Sequence, residues 1–181
     1  MVTYETAHQL MVYCEESGRL RWKPRPLEMF SSSRDAKTWN TRYAGKDVGT
    51  VVGHKSGKYT KYKNVIIRPN RYKAHRLIWL MKTGSWPNGH IDHIDGNGLN
   101  NSWKNLREAT SVQNAYNQKV RSDSTSGVKG VSYDKKRGMW YVYIDVDKKR
   151  KHLGRYDTKD EAVAARAAAE KIYHGEYARS E

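Results

Sequence analysis

The stretch from His90 to Gln118 constrains the fold of this chain more than any other part of it. Apolar Ile91 lies near its start, and Ile94 is followed by Asp95-Gly96-Asn97-Gly98. This run favours a turn because Gly and Asn tolerate positive φ. Residues 105–110 have the length of a short returning strand, and Ser111 is suited to cap a helix that would end near Gln118. The pattern therefore predicts a strand, a polar loop, a second strand and a helix.

Polar residues are spaced along this stretch in a pattern shared with a known family. Asp92 and His93 are adjacent near its start, Asn105 lies in its middle and Asn114 lies on the predicted helix. With the flanking residues at 95–97, 100–101, 106–107, 110 and 113, they resemble the HNH, or ββα-metal, nuclease family. A match at so many fixed positions is more specific than a lone His-Asn-His match. The resemblance implies metal-dependent hydrolysis of a phosphodiester bond.

The resemblance also implies a role for each residue of the site. His93 would be the general base, since a free imidazole can accept a proton from water near neutral pH. Asn105 would hydrogen-bond the polar loop and so keep His93 in place. Asp92 and Asn114 would bind one divalent cation per active site. Both offer oxygen ligands, which favours Mg²⁺ or Mn²⁺ over Zn²⁺.

Two further residues are candidates for the same site. Neighbours such as Asp92 and His93 point to opposite faces of a regular strand, whereas His90 and Asp92 would share one face. His90 is therefore a rival metal ligand or phosphate contact, and an ordinary loop histidine is the alternative reading of it. Gln118 follows Asn114 by four residues, so it could add an oxygen ligand from the same helix face.

The composition of the chain indicates a polyanionic partner. The formal net charge is +15, and Lys and Arg side chains that neutralise phosphates release condensed counterions. Cys14 is the only cysteine, which excludes an intramolecular disulfide and cysteine-rich zinc sites. No segment approaches the roughly 20 apolar residues of a membrane span, and no secretory signal pattern opens the chain. We therefore expect a cytoplasmic protein, and the resemblance to HNH nucleases of phage type implies one that is encoded by a phage and acts in its host cell.

The residues before His90 are predicted to form a β-rich scaffold. Residues 28–46 are polar and are predicted as a loop. Runs rich in Tyr, Val and Ile predict strands at 48–52, 59–67 and 71–74. HRLIWLMK, at 75–82, predicts a helix that ends at Gly84. The longer stretch AHRLIWLMKTGSWP, at 74–87, resembles the usual lead-in of phage-type HNH proteins. Residues 1–118 are therefore interpreted as one nuclease domain.

A different pattern follows a linker-like segment at 119–126. Strands are predicted at 128–133, 140–146 and 150–156. A helix follows, capped by Thr158 with Glu161 in the capping-box position. Residues 127–178 resemble the AP2/ERF-type DNA-binding domain, on the matches Gly130-Val131, Trp140, Leu153-Gly154, Tyr156 and Glu161-Ala162. That resemblance implies that the sheet contacts double-stranded DNA.

Basic and aromatic side chains of this module are the candidate DNA contacts, together with one arginine of the nuclease motif. They are Arg107, Lys129, Arg137, Trp140, Lys149, Arg150, Lys151 and Arg155. Strand alternation puts residues 140, 142 and 144 on one face of the sheet and residues 141, 143 and 145 on the other. The sequence leaves open which face meets DNA.

The fold expected from these patterns is α+β: a ββα-metal nuclease domain, a linker, and a three-stranded antiparallel sheet with one helix. The leading hypothesis is a metal-dependent DNA endonuclease, homing-like or nicking. The alternative is a non-catalytic DNA-binding or regulatory protein that retains the nuclease fold. A protein that binds or cuts RNA is a third hypothesis. The sequence leaves the oligomeric state and the recognition sequence open.

Overall fold

The computed structural model describes residues 1–53, 61–120 and 123–179. Two predictions fall partly outside these residues: the start of the strand expected at 59–67 and the middle of the linker expected at 119–126. The chain divides into two compact units, Met1–Glu108 and Ala109–Glu181. Both contain helices and strands, in keeping with the α+β expectation. Within the described residues, no helix is long and apolar enough to cross a membrane.

The N-terminal unit alternates short helices and antiparallel strands. Its elements are α1 (Tyr4–Leu10), β1 (Met11–Cys14), β2 (Arg19–Trp22), α2 (Ser33–Tyr43), β3 (Thr50–Val52), β4 (Tyr62–Ile67), β5 (Asn70–Lys73), α3 (Ala74–Thr83), β6 (His90–His93) and β7 (Leu106–Ala109), whose last residue already belongs to the second unit. β1 pairs with β2, β6 pairs with β7, and β3, β4 and β5 form a sheet in that order. Within the described residues, the strands of this unit therefore form three small sheets, the third of which is the β6–β7 hairpin.

Helix α3 is the centre of the hydrophobic core in this unit. Leu77, Ile78, Leu80 and Met81 are all buried, and they pack with buried residues of α1, β1, β4 and β6. Gly84 ends the helix at φ +79°, and its N–H donates to the Leu80 carbonyl, so the predicted helix and its glycine end are confirmed.

The prediction of a loop at 28–46 is wrong for most of that range, because α2 occupies 33–43. Ser32 caps this helix by accepting the Asp35 N–H at 3.1 Å. Ala36, Trp39 and Asn40 lie at helical spacing on its packed face, but only Ala36 is buried. The exposed Tyr43 ring lies 5.3 Å from the Trp39 ring. A single fully buried side chain is too weak an apolar signal for a sequence pattern to detect.

The C-terminal unit consists of α4 (Ser111–Tyr116), an antiparallel sheet and α5 (Lys159–Tyr173). The strands are β8 (Val131–Asp134), β9 (Met139–Val146) and β10 (Lys149–Tyr156), with β9 in the middle. The capping box predicted for α5 is confirmed. Ser111 is the first residue of α4 rather than its cap, because Thr110 accepts the Gln113 N–H at 3.2 Å.

The division between the units lies before the linker expected at 119–126, because α4 packs within the C-terminal unit. The Tyr116 ring stacks on His174 with 3.7 Å between ring centroids. Lys129 Nζ donates to the carbonyls of Ala115 at 2.7 Å and Tyr116 at 3.2 Å. Helix α4, expected at the end of a domain spanning 1–118, therefore associates with the residues that follow it.

Candidate active site

The loop between β6 and β7 folds around two of its own side chains, those of Asp95 and Asn105. The Asn105 side-chain oxygen accepts the Asp95 N–H at 3.0 Å, and its Nδ2 donates to Asp95 Oδ1 at 2.9 Å. The same Nδ2 donates to the Asn100 carbonyl at 2.8 Å, and Asn100 Nδ2 donates to Asp95 Oδ2 at 2.7 Å. Asn105 is buried and ties the start of the loop to its end.

Asp95 is the acceptor around which this loop is arranged. Its burial raises the pKa, but hydrogen bonds from Asn100, the Asn97 backbone and Asn105 lower it by more, so the pKa of Asp95 lies below its ordinary value. An ionised carboxylate with several donors holds a polar loop firmly. Asp95 is therefore occupied in shaping the turn, as its place in the sequence predicted.

The β1–β2 hairpin supports the loop from outside. The Tyr13 hydroxyl donates to the Asn101 carbonyl at 2.8 Å, and the Trp103 N–H donates to the Glu15 carbonyl at 3.2 Å. Gly18 has φ +66°, and a Cβ built there would lie 2.4 Å from the Ser102 nitrogen, so only glycine permits this approach. Residues near the start of the chain thus position Asn101.

His93 is buried and makes a directed hydrogen bond through one ring nitrogen. Its Nε2 lies 3.0 Å from Asn101 Oδ1. Because an amide oxygen only accepts, Nε2 carries the proton in this arrangement, and the lone pair belongs to Nδ1. Burial lowers the pKa of His93, and the hydrogen bond that the ring donates to Asn101 and the charges of Asp95 and Asp92 oppose that shift in part. The ring is therefore neutral at pH 7.

A second buried histidine packs against the first. The His75 ring lies edge-on to His93 with 5.0 Å between centroids, and Tyr62 contacts both rings at 5.4 Å and 5.9 Å. Burial, followed by the charge of His93, lowers the pKa of His75 to about 3. His75 thus forms an uncharged aromatic wall beside His93, at the start of α3.

Asp92 lies against an arginine of the facing strand. Arg107 donates to Asp92 Oδ2 from Nε at 3.0 Å and from Nη2 at 2.9 Å. The Asp92 side chain is only 6% exposed and the Arg107 side chain 13%, so the pair is largely shielded from water. Asp92 and His93 therefore have different hydrogen-bonding partners, as expected for neighbouring residues that point to opposite sides of a strand. Arg107, expected as a phosphate contact, is held by this carboxylate instead.

The other expected site residues lie in different surroundings. His90 is exposed at the start of β6. Asn114 lies half-buried on α4, in the C-terminal unit. Gln118 is exposed just beyond that helix, and its N–H donates to the Ala115 carbonyl at 3.3 Å. Asp92, His93 and Asn105 are thus grouped on one hairpin, whereas Asn114 and Gln118 belong to the second unit.

The donor chemistry of Asp92 and Asn114 fits a hard divalent cation. Across the described ranges 1–53, 61–120 and 123–179, no group of three or more His, Cys, Asp or Glu side chains could hold a metal ion. A Mg²⁺ site needs no such group, since Mg²⁺ usually takes one or two protein carboxylates and completes its shell with water and phosphate. Asp92 supplies a carboxylate of the kind that such a site uses, and in this structure its Oδ2 accepts two hydrogen bonds from Arg107.

One face of the C-terminal sheet is covered by helix α5, and the other is open. Val142 and Ile144 are fully buried, and Ala162 of α5 packs against Val142. Tyr141, Tyr143 and Asp145 alternate with these residues and lie on the opposite face. The structure thus shows that α5 covers the face with Val142 and Ile144 and leaves uncovered the face with Tyr141, Tyr143 and Asp145.

Two arginines of β10 lie on the open face beside the tyrosines. Arg155 pairs in register with Tyr141 and lies 5.5 Å above its ring. Arg150 lies 3.7 Å above the Tyr143 ring, and its Nε and Nη2 donate to the Asp145 carboxylate at 3.0 Å and 3.2 Å. Arg150 and Arg155 therefore extend along a basic, aromatic surface.

The remaining candidate DNA contacts lie elsewhere in the unit. Lys129 is engaged with carbonyls at the end of α4, and Arg137 is paired with Asp134 in the β8–β9 turn at 3.1 Å. Trp140 is half-buried on the helix side of the sheet. Lys151 lies 4.4 Å from the centre of the Tyr173 ring of α5, and Lys149, two residues earlier on the strand, shares that side.

Sequence reasoning gave no individual role to Asn101 or to the Asp92–Arg107 pair. Asn101 was grouped with the flanking residues of the motif, although its side chain is the hydrogen-bond partner of His93. A period-two reading of β6 and β7 could have suggested that Arg107 faces a carboxylate. No local signal links Asn101 to His93, because that contact depends on the path of the whole loop.

Comparisons with known proteins agree with the layout of the hairpin. A family model described as HNH endonuclease matches residues 72–116, which include Asp92, His93, Asn105 and Asn114. Protein 3.8 of Escherichia phage T7 is 37% identical over 119 residues, which are 65% of this chain and 95% of that protein. A protein described as an uncharacterized HNH endonuclease of Acanthamoeba polyphaga mimivirus is 42% identical over 64 residues, 34% of each chain. No solved structure matches the chain.

Proposed function

Because the chain belongs to the HNH endonuclease family, we propose that it is a metal-dependent endonuclease that hydrolyses phosphodiester bonds in double-stranded DNA. One observation carries the proposal: His93 is buried, and its Nε2–H is directed at the Asn101 amide oxygen. Burial lowers the pKa of His93, which favours the neutral ring. A general base must be unprotonated at working pH and fixed in orientation, and this arrangement supplies both conditions.

His93 would accept the proton of the attacking water at Nδ1, the ring nitrogen that carries the lone pair. Asn101 would keep the ring from turning and would retain its bond to Nε2–H before and after proton transfer. The positive charge that forms on the ring would be stabilised by Asp95 and Asp92, whose charges raise the pKa of His93. The neighbouring His75, with its pKa near 3, would stay neutral and would not compete for that proton.

Asp92 and Asn114 would hold one Mg²⁺ or Mn²⁺ ion, which when bound neutralises charge on the scissile phosphate and on the leaving oxygen. Arg107 would fix the orientation of the Asp92 carboxylate through its two hydrogen bonds to Oδ2. His90 and Gln118, both exposed, remain outside this minimal set. Calorimetric titration with Mg²⁺ would check the ligand assignment without measuring cleavage, because Asp92→Asn is expected to abolish the binding heat.

The open sheet face of the C-terminal unit, like that of an AP2/ERF-type domain, would bind the DNA on which the hairpin acts. Arg150 and Arg155 offer charge to phosphates, and Tyr141 and Tyr143 offer flat apolar surface beside them. Contacts of this kind hold an enzyme on DNA, whereas base contacts specify sequence. A small catalytic hairpin with a separate binding module is suited to homing-like or nicking cleavage.

The decisive experiment is cleavage of supercoiled plasmid with and without Mg²⁺. We expect the wild type to cut only with the metal, and His93→Ala to be slower by about 10²- to 10⁴-fold, the usual contribution of general-base catalysis. His90→Ala is the matched control, since it removes an exposed histidine of the same strand. The product distinguishes nicked circles from linear DNA.

Two results of the same experiment would favour other functions. If the wild type binds the plasmid but is as inert as His93→Ala with both Mg²⁺ and Mn²⁺, a non-catalytic DNA-binding or regulatory protein becomes the better hypothesis. If folded RNA is cut under conditions in which DNA is not, the chain acts on RNA.

A further inference from the structure

Helix α2 has two different faces, and only one of them packs against the fold. The packed face consists of Ala36, Trp39 and Asn40, and the exposed Tyr43 ring lies beside Trp39. The outer face consists of side chains at positions i, i+3, i+4, i+7 and i+8, all of them exposed. They are Arg34, Lys37, Thr38, Thr41 and Arg42. The outer face therefore carries three cations and two hydroxyl groups.

The cations on this face are not used by the fold. Among the residues that the structure describes, Arg34, Lys37 and Arg42 form no ion pair with a carboxylate, although Arg42 lies 5.3 Å from the centre of the adjacent Tyr43 ring. Asp35, the only acidic residue of the helix, accepts the Ser32 hydroxyl at 2.7 Å at the cap.

The positive charge of Arg34 is also unfavourable with respect to the helix dipole. Arg34 lies in the first turn, where the helix dipole favours anions and disfavours cations. Arg42, in the last turn, agrees with the dipole, and Lys37 lies between them. Helix stability therefore explains at most one of the three positive charges.

The helix is mounted rigidly although it buries little. The Arg25 guanidinium lies 4.0 Å from the centre of the Trp39 ring and 5.0 Å from that of Trp22. Asn40 Oδ1 accepts the Arg25 N–H at 2.8 Å, and Asn40 Nδ2 donates to the Arg25 carbonyl at 2.9 Å. This clamp fixes α2 to the segment after β2, so its outer face is presented in one orientation.

We propose that the outer face of α2 binds the phosphate backbone of duplex DNA, as a second contact surface in addition to the C-terminal sheet. The inference rests on the proposed function, since the duplex is taken to be the substrate. Three cations with hydroxyl donors between them match a row of phosphates in charge and in hydrogen bonding. The face has no aromatic side chain for stacking on bases, so the contact is to the backbone and is independent of sequence.

The test is the salt dependence of binding to a random-sequence DNA duplex, measured by fluorescence anisotropy with EDTA present so that no cutting occurs. The wild type is compared with the triple variant Arg34→Gln, Lys37→Gln and Arg42→Gln. Loss of three phosphate contacts should make the slope of log K against log salt shallower by about 2.7. When salt is raised from 50 to 200 mM, the affinity of both proteins should fall, and the factor by which it falls should be about 40 times smaller for the triple variant than for the wild type.

A charge-conserving variant is the matched control. Arg34→Lys, Lys37→Arg and Arg42→Lys together keep all three charges, and the slope should stay that of the wild type. Thermal unfolding should be nearly unchanged in both variants, because the substituted side chains are exposed and form no ion pair with another described residue. If the slope of the Gln variant equals that of the wild type, or if the control loses as much slope, the inference is overturned.

Plasmid cleavage with Mg²⁺ in the same preparations separates this inference from the proposed function. Cleavage by the wild type with no difference in slope between the variants would overturn the α2 surface and leave the endonuclease standing. A change in slope without any cleavage would support the surface and count against the enzyme. A change seen only with an RNA duplex would overturn the assignment of DNA as the partner.

Discussion

The β6–β7 hairpin and the C-terminal sheet both carry polar and charged residues, but they carry them in opposite environments. Asp92, His93 and Asn105 are buried and are held by hydrogen bonds to neighbouring side chains. Arg150 and Arg155 are exposed on an open face. Burial fixes orientation and shifts pKa values, which suits proton transfer, whereas exposure keeps charge available to a large partner. Under the proposed function, the buried hairpin would carry out the chemistry and the exposed sheet face would contact the DNA.

The largest expected effect separates the buried ion pair from an exposed one. Arg107→Ala would leave the Asp92 carboxylate buried without its cation, and should reduce the free energy of unfolding by roughly 3 kcal/mol. Arg150→Ala removes the partner of Asp145 in a pair whose side chains are more than half exposed, and should cost less than about 1 kcal/mol. Urea unfolding in the presence of EDTA measures both values.

A second variant tests the physical reason for that difference. Adding Asp92→Asn to Arg107→Ala removes the buried negative charge, so the double variant should recover part of the lost stability. Equal losses for Arg107→Ala and Arg150→Ala would erase the contrast between the two regions.

The next effect concerns the pH dependence of stability in the N-terminal unit. Burial lowers the pKa of His75 to about 3, whereas the unfolded chain takes up that proton near pH 6.5. The contribution of His75 is therefore fully present above pH 6.5 and is lost progressively as pH falls toward 3. Between pH 7.5 and 4.5 the loss should be roughly 2–3 kcal/mol, measured by urea unfolding. His75→Phe should show a smaller loss, and an unchanged loss would contradict the assignment.

Asn101 provides the third prediction, because it acts on the chemistry only through His93. Asn101→Ala should slow cleavage by about 10- to 100-fold, the usual cost of losing a group that orients a catalytic residue. Asn101→Asp keeps the shape of the side chain but places a charge at Nε2–H, which raises the pKa of His93. The acid limb of its pH–rate profile should therefore move to higher pH. A lower rate in both variants with no such movement would indicate a purely structural role.

The smallest expected effect is on the salt dependence of DNA binding, and it compares a cation on each face of the C-terminal sheet. Arg155→Gln removes one cation of the open face, and the salt slope of DNA binding should become shallower by about 1. Lys151→Gln removes a cation of the same strand that lies over Tyr173 on the helix side, and its slope should change less. Cleavage at saturating enzyme should be equal in both variants. Equal slopes would show that the two faces do not differ toward DNA.

Local patterns predicted those elements whose signals lie close together in the chain. The helix at α3 and its end at Gly84 follow from apolar spacing and a glycine, and the α5 capping box follows from Thr158 and Glu161. The same patterns failed at α2, where a single fully buried alanine leaves almost no apolar signal. They also placed α4 with the preceding hairpin, because chain proximity does not reveal that Tyr116 stacks on His174.

The sequence by itself determined the identities and the spacing of the candidate site residues, the strand–loop–strand–helix order around them and the excess of positive charge. Tertiary structure decided that His93 is hydrogen-bonded to Asn101 and that Asp92 is paired with Arg107. It also decided which face of the C-terminal sheet is buried. Hydrogen bonds and burial depend on which distant segments the folded chain brings together. Asn101 reaches His93 because the loop is tied by Asn105 and supported by Tyr13, a contact 88 residues away along the chain.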